Sequence, residues 1–257
     1  MNFTDNLETI SLDELNEAAA LQRRTDRKYI LTQAQAEQVL PQLAQQALVL
    51  SIDGRRSSDY TSVYFDTPDL ASFHLAAHPR RRRFKVRTRS YMDTQQCYLE
   101  VKTEGARAQT VKERIEHPFN ARAALSEQSL IYIQETLNHE LGTCPIHTDA
   151  LVPVIDSSYT RTTLYLPQTN SRVTVDENLV WTDPKTGFRL ECNEIIVETK
   201  SAMNAGPADK LLWRHQIRPS RISKFATGMS LLHQHLPANR WHKTTKHKIS
   251  TAVSLHP

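Results

Sequence analysis

Six stretches of this chain alternate charged and apolar residues with a period of two, and no other feature narrows its possible folds as far. Successive side chains of a strand point to opposite faces. In Arg83-Phe-Lys-Val-Arg-Thr-Arg89, Arg83, Lys85, Arg87 and Arg89 therefore share one face, and Phe84 and Val86 take the other. Glu100 and Lys102 lie opposite Leu99 and Val101; Lys112, Arg114 and Glu116 lie opposite Val111 and Ile115. Arg172, Thr174 and Asp176 oppose Val173 and Val175, Glu198 and Lys200 oppose Val197, and Asp26 pairs with Lys28 on the first strand. For any one strand, the wet side of an antiparallel sheet is the simpler account. For six together, with Arg and Lys recurring beside a carboxylate, a barrel closed around a polar interior explains the repetition better. Buried charges need partners, so such an interior must hold a polyanion. Asp26, Glu100, Asp176 and Glu198 then suit a hard divalent cation that bridges phosphate oxygens.

The expected architecture is α+β: an antiparallel β-barrel tunnel with helices packed outside. Capping-box patterns at Ser11–Glu14 and Thr32–Gln35 open two helices, and Pro41 should kink or stop the second. Strands are expected over 24–31, 60–66, 81–91, 97–103 and 109–117, then over 152–159, 161–166, 171–181 and 192–200. Helical patterns cover 120–140, a stretch from Gly206, and 220–236. This divides the chain into an N-terminal helical segment (1–23), a tunnel domain (24–236) and a basic tail without a packing pattern (237–257).

Other classes find little support. The net charge is +4, from 32 Lys+Arg and 28 Asp+Glu, too small to argue for nucleic acid. The aromatic residues are not interleaved with the basic strands as base stacking requires, and Tyr64, Phe65, Phe84 and Trp213 are expected in the core. Six glycines and no Gly-rich loop argue against a P-loop or Rossmann nucleotide site. Three cysteines, Cys97, Cys144 and Cys192, without paired spacing fit neither zinc nor a disulfide framework, and point to a reducing cytosol. His215, His233 and His235 lack metal-ligand spacing. No signal peptide or membrane span is legible. Cytoplasmic placement is expected, and any location at the inner face of a membrane would need a separate membrane-protein partner.

At the level of motifs, the chain resembles the polyphosphate polymerase domain of the vacuolar transporter chaperone (VTC) complex, a branch of the CYTH-like triphosphate tunnel metalloenzymes. The matching stretches are Arg24-Thr-Asp-Arg-Lys-Tyr29, Ser62-Val-Tyr-Phe-Asp-Thr67, Lys85-Val-Arg-Thr-Arg-Ser-Tyr91, Tyr98-Leu-Glu-Val-Lys-Thr103 and Val111-Lys-Glu-Arg114. Tyr159-Thr-Arg161, Arg172-Val-Thr-Val-Asp176, Ile196-Val-Glu-Thr-Lys200 and Ser223-Lys-Phe225 complete the set, which runs from Arg24 to Leu232. The resemblance implies phosphate contacts by Lys28, Arg87, Arg89, Lys102, Arg161, Arg172, Lys200 and Lys224, with Lys112 and Arg114 matching less securely. Arg83 and Lys85 join the substrate-binding set from the alternation. Glu198 would be the main metal ligand, with Glu100 and Asp176 beside it, for Mn²⁺ or Mg²⁺.

The resemblance also implies ATP and polyphosphate as partners. Hydrolytic members of the superfamily carry Glu-x-Glu-x-Lys on the first strand, where this chain reads Arg24-Thr-Asp26-Arg-Lys28. That departure points toward a polymerase and weakens Asp26 as a ligand. Three functions stay open: a polyphosphate polymerase using ATP, a triphosphatase in which another carboxylate such as Glu100 or Asp176 orients water, and a non-catalytic polyphosphate-binding module.

Overall fold

A computed structural model describes residues 3–18, 25–78, 80, 82–104, 110–201 and 204–254. In chain order its elements are β1 (Thr9–Ile10), α1 (Leu12–Ala18), β2 (Thr25–Leu31), α2 (Gln33–Ala44), β3 (Leu48–Leu50), β4 (Ser57–Asp66) and α3 (Ala71–Ala77). β5 (Arg83–Tyr91), β6 (Gln96–Glu104), β7 (Thr110–Glu116), α4 (Glu127–Leu141), β8 (Val152–Leu166) and β9 (Ser171–Thr182) follow. The chain closes with β10 (Arg189–Cys192), β11 (Ile195–Ser201), α5 (Pro207–Arg214), α6 (Lys224–Leu232), α7 (His242–His247) and β12 (Thr251–Ser254).

Antiparallel ladders join the strands in the order β2–β11–β9–β8–β4–β5–β6–β7, and the sheet curls into a trough. Among the described residues no ladder joins β7 to β2, so the barrel expected to be closed is open along that seam. The outer face is apolar and covered. α4 lays Ile133, Leu137 and Leu141 on Val63, Phe65, Val86, Leu99 and Val101. α2 and α5 cover Tyr29, Leu31, Val173, Val175 and Val197. Each of these large apolar side chains contributes roughly 1.5–3 kcal/mol by leaving water.

Two helices sit at opposite ends of β9. α1 places Leu15 on Tyr165, and its Leu15 carbonyl accepts from Arg172 at 3.4 Å. α6 lies against the far end, where the Trp181 indole donates to the Lys224 carbonyl at 2.7 Å. The approach is close enough that a Cβ on Gly228 would stand 2.4 Å from Trp181 Cδ1, so only glycine fits there.

Both expected capping boxes form: Ser11 and Glu14 exchange bonds, as do Thr32 and Gln35. Several expectations need correction. α2 runs through Pro41 to Ala44, because Leu40 and Leu43 are fully packed while Pro41 faces water, and that packing outweighs one missing backbone bond. The two strands expected over 152–166 are one strand, β8, with an irregular register near Ser158 where β9 inserts Asn178 at φ 55°. The strand expected over 192–200 is two, β10 and β11. The helix expected from Ser220 begins at Lys224, capped by Ser223, because Ser220 N–H is bonded to the Lys28 carbonyl at 2.7 Å.

The segment read as an unpacked tail is integrated. Trp241 is buried against Phe73, β12 pairs with β10, and Glu194 accepts from Ser250 Oγ at 2.6 Å and from its N–H at 2.9 Å. Trp241 and Ile249 stand too far apart in a polar stretch to give a periodic signal. Arg24 and the stretches 19–23 and 105–109 lie outside the described residues.

Candidate functional site

Register turns the six alternating stretches into one surface. Opposite residues run Lys28–Glu198–Thr174 and Asp26–Lys200–Arg172 across β2, β11 and β9. Asp176 faces Arg161 across β9 and β8, and β8 meets β4 at Tyr159–Tyr60 and Ser157–Ser62. β4, β5, β6 and β7 continue as Ser62–Arg89–Tyr98–Glu116 and Tyr64–Arg87–Glu100–Arg114, and Lys85–Lys102–Lys112 completes the wall. Every cation named from the sequence on these strands therefore shares the concave face. Lys224 reaches it from the first turn of α6.

The carboxylates organise the cations. Glu100 Oε2 takes both Nε and Nη2 of Arg87, at 2.8 and 2.5 Å, and Oε1 takes Lys112 at 3.0 Å. Asp176 takes Arg161 through both oxygens, at 2.6 and 2.8 Å, and is also paired with Lys224. Burial alone would raise both carboxyls, but Arg87, Arg89 and Lys112 at Glu100, and Lys224 and Arg161 at Asp176, hold them well below the usual range. Glu198 takes a long bond from Lys28, 3.3 Å to Oε1. Its carboxyl, which burial would raise, is drawn down to about 2 by Lys28, Lys200, Arg161 and Lys224.

Cations outnumber these acids, and Lys85 among them shows the strain. Burial first, then Lys102 and Lys28, lower Lys85 to about 7, and its Nζ donates a hydrogen bond to Ser223 Oγ at 2.9 Å. Several buried polar atoms on this face make no hydrogen bond with the described protein: Ser62 Oγ, Ser157 Oγ, Tyr159 Oη, Thr174 Oγ1 and Arg89 Nε. Buried polar groups are normally satisfied. A concentration of orphans among excess cations marks a surface shaped for an oxygen-rich anion.

The structure separates the expected site residues into three groups. Lys28, Arg87, Arg89, Lys102, Arg161, Arg172, Lys200 and Lys224 line the trough. Lys112 and Arg114 stand on the exposed edge strand, where Arg114 stacks on Tyr98 at 4.7 Å. Arg83 and Lys85 stand at one mouth, where together with Lys28 and Lys102 they border a cavity of about 440 Å³.

Among the described residues no three His, Cys, Asp or Glu side chains gather as metal ligands. Glu100 and Asp176, expected as ligands, instead have both oxygens engaged by cations. Glu198 does fit a hard divalent cation in the manner of Mg²⁺, which binds through one or two carboxylates and takes its other ligands from phosphates and water. Its cross-strand neighbour Thr174 presents one of the orphaned oxygens.

Tyr64, Phe65 and Phe84 are buried in the core as expected, but the expectation that aromatic residues keep apart from the basic strands needs correction. Tyr64 Oη accepts from Arg87 at 3.0 Å. Arg161 lies over Tyr60 and Tyr159, and Lys224 Nζ is 4.3 Å from the Tyr159 ring centre. Despite its burial, the Tyr159 phenol is lowered by Arg89, Arg161 and Lys224. Sequence reasoning missed Tyr60, Ser62, Tyr159 and Ser157, although Tyr60, Ser62 and Tyr64 already alternate with outward Thr61, Val63 and Phe65.

Residues 23–233 match the family model of the VTC domain. The chain belongs to the VTC domain family. Its fold is the triphosphate tunnel. An adenylyl cyclase candidate from Hippeastrum, described with a dominant triphosphatase activity, is 16% identical, with a TM-score of 0.52 over 80% of this chain and 94% of its own. Adenylate cyclase candidates from Bacillus halodurans (14% identity, TM-score 0.45, 78% and 94% covered) and Vibrio parahaemolyticus (12%, 0.44, 81% and 98%) align more loosely and carry no weight here. Comparison with curated proteins finds no match. Among the described residues of this VTC domain, no helix is long and apolar enough to cross a membrane.

Proposed function

We propose that this VTC domain transfers the γ-phosphoryl group of ATP to the end of a polyphosphate chain lying in the trough. The observation that carries this reading is the state of the carboxylates. Glu100 and Asp176, the acids deepest among the cations, have every oxygen held by Arg or Lys. Neither is left to orient a water molecule, whereas a phosphate acceptor needs no such base. Its terminal oxygen attacks the γ phosphorus, the bond to the β-bridging oxygen breaks, and ADP leaves with that electron pair. Such transfer depends on positioning and charge neutralisation more than on covalent help.

Arg87 and Arg161, fixed by Glu100 and Asp176, present guanidinium edges suited to phosphate. Lys224 enters from the first turn of α6, beside Asp176. Mn²⁺ or Mg²⁺, held by Glu198 together with phosphate oxygens, would neutralise charge on the transferring group.

A second reading, hydrolysis of tripolyphosphate or a nucleoside triphosphate, is favoured by one observation: Asp26 borders the mouth cavity with Lys28 and Lys102. The test is incubation of purified protein with ATP and Mn²⁺ or Mg²⁺, followed by a gel stained for polyphosphate and separate assays of ADP and orthophosphate. ADP matched by stained chains, with little orthophosphate, is expected. Orthophosphate equal to ADP with no stained product moves the chain to the hydrolase reading, and absence of ADP moves it to a binding module.

A further inference from the structure

The mouth beside Lys85 is more basic than the strands alone account for, and the excess comes from the C-terminal part of the chain. Six cations, Lys28, Arg83, Lys85, Lys102, Arg221 and Arg240, border this cavity against two carboxylates, Asp26 and Glu104. Glu104 is already paired with Arg83. Arg221 belongs to the loop before α6, and Arg240 precedes α7, beyond the stretch 23–233 that matches the family.

The Arg240 side chain and the Arg221 main chain are each held by specific contacts. Arg240 Nη1 donates to the Ala76 carbonyl at 2.8 Å, and its neighbour Trp241 is buried beside Phe73. The Arg221 carbonyl accepts from Thr244 Oγ1 at 3.0 Å, and Lys248 Nζ donates to Ser220 Oγ at 2.8 Å. α7 thus clamps the loop that carries Arg221. Burial first, then Arg83 and Arg221, lower the Arg240 pKa, as expected of like charges gathered without enough acid to balance them. A fold that fixes like charges at an opening meets that repulsion unless an anion lies there.

Along β5, Arg83 and Arg89 are six residues apart, roughly 20 Å at strand rise. Three linked phosphates seated at Arg87 and Arg89 cover only part of that length, whereas a long chain can run on past Lys85 to the outer side of the mouth.

We propose that Arg221 and Arg240 form an outer subsite for a linear polyphosphate, which grips phosphates beyond those held in the trough and gives the protein a preference for long chains over tripolyphosphate. This rests on the polyphosphate reading of the trough. The experiment compares binding of tripolyphosphate and of long-chain sodium polyphosphate to the wild type and to the double variant Arg221→Gln/Arg240→Gln. Glutamine retains a donor for the Ala76 carbonyl, and a thermal melt checks that the variant is folded. Arg89→Gln serves as the trough control.

The wild type should bind the long chain more tightly. The double variant should lose about tenfold of that affinity, the equivalent of roughly one charge-assisted contact, and keep its tripolyphosphate affinity within about twofold. Arg89→Gln should weaken both ligands. Unchanged long-chain affinity in the folded double variant, or equal losses for both ligands, overturns the outer subsite. Should the double variant prove unfolded, the single exposed change Arg221→Gln decides the question by the same pattern. A wild type that binds long chains through Arg221 and Arg240 but ignores tripolyphosphate upholds the subsite and overturns the trough reading. Binding of neither ligand overturns both.

Discussion

Asp209 and Glu100 are both buried carboxylates with several partners, and they do different work on opposite faces of the same curled sheet. Asp209, on the outer face, accepts from Tyr29 Oη (2.7 Å), Thr199 Oγ1 (2.6 Å), Gly206 N–H (2.8 Å) and Arg27 Nη1 (3.3 Å). Its donors are mostly neutral, they come from β2, β11 and the start of α5, and together they fasten that helix to the sheet. Glu100, on the inner face, is bonded among the described residues by cations, and those cations stand on the concave wall of the trough. A carboxylate satisfied by neutral donors closes a structure. One outnumbered by cations holds them ready for a second anion.

The largest effect should come from Asp209→Ala. Removing one partner of a buried charge network costs about 3–5 kcal/mol, and a shift of the urea midpoint without loss of tripolyphosphate binding is expected. Intact stability would erase the distinction between the two carboxylates.

Next, Glu198→Gln should lower turnover at least about a hundredfold, roughly 2.7 kcal/mol, by removing the charge that fixes a cation, while leaving much of the phosphate binding. Chelator should have the same effect on the wild type. Full activity under either condition would count against Glu198 as a ligand.

Arg87→Ala should weaken triphosphate binding by about 1.5–3 kcal/mol and leave the protein folded, since Glu100 keeps Lys112. A thermal-shift titration with tripolyphosphate measures both. A variant that unfolds would make the inner carboxylate as structural as the outer one.

The smallest effect concerns pH. Folding lowers Lys85 from its ordinary 10.5 to about 7, so the folded protein binds fewer protons than the unfolded chain between those values. Stability without ligand should therefore rise with pH across that window. An anion in the trough favours the charged lysine, so affinity should be greatest below pH 7 and fall as pH rises through the higher value of the complex. Lys85→Met should flatten both slopes by up to about 1.4 kcal/mol per pH unit. Persistence of the slopes in Lys85→Met would assign them elsewhere.

The trough was legible because strand geometry leaves a period of two in the sequence. Arg83 to Arg89 and Arg172 to Asp176 could be placed on one face with no knowledge of which strands pair. Which cation meets which acid was not legible, because Arg87–Glu100 and Arg161–Asp176 follow from register, and register is fixed by packing on the outer face. For the same reason Glu100 and Asp176 read as metal ligands when each is engaged by cations. Tyr60 and Tyr159 were missed because an aromatic residue has the same appearance in a core and on a cation-bearing wall. Arg240 was missed because the anchors of its segment, Trp241, Thr244, Ser250 and the β12 pairing, are scattered and of mixed polarity and make no periodic pattern.

That anchored segment has a practical consequence. Sequence similarity ends at 233, but the folding unit does not. A chain cut after Leu236 would lose Trp241 and the strand that covers β10, leaving the hydrogen-bonding edge of Arg189–Cys192 bare. Exposed sheet edges recruit other strands, so the shortened protein should self-associate and form insoluble material at concentrations where the full chain stays dispersed.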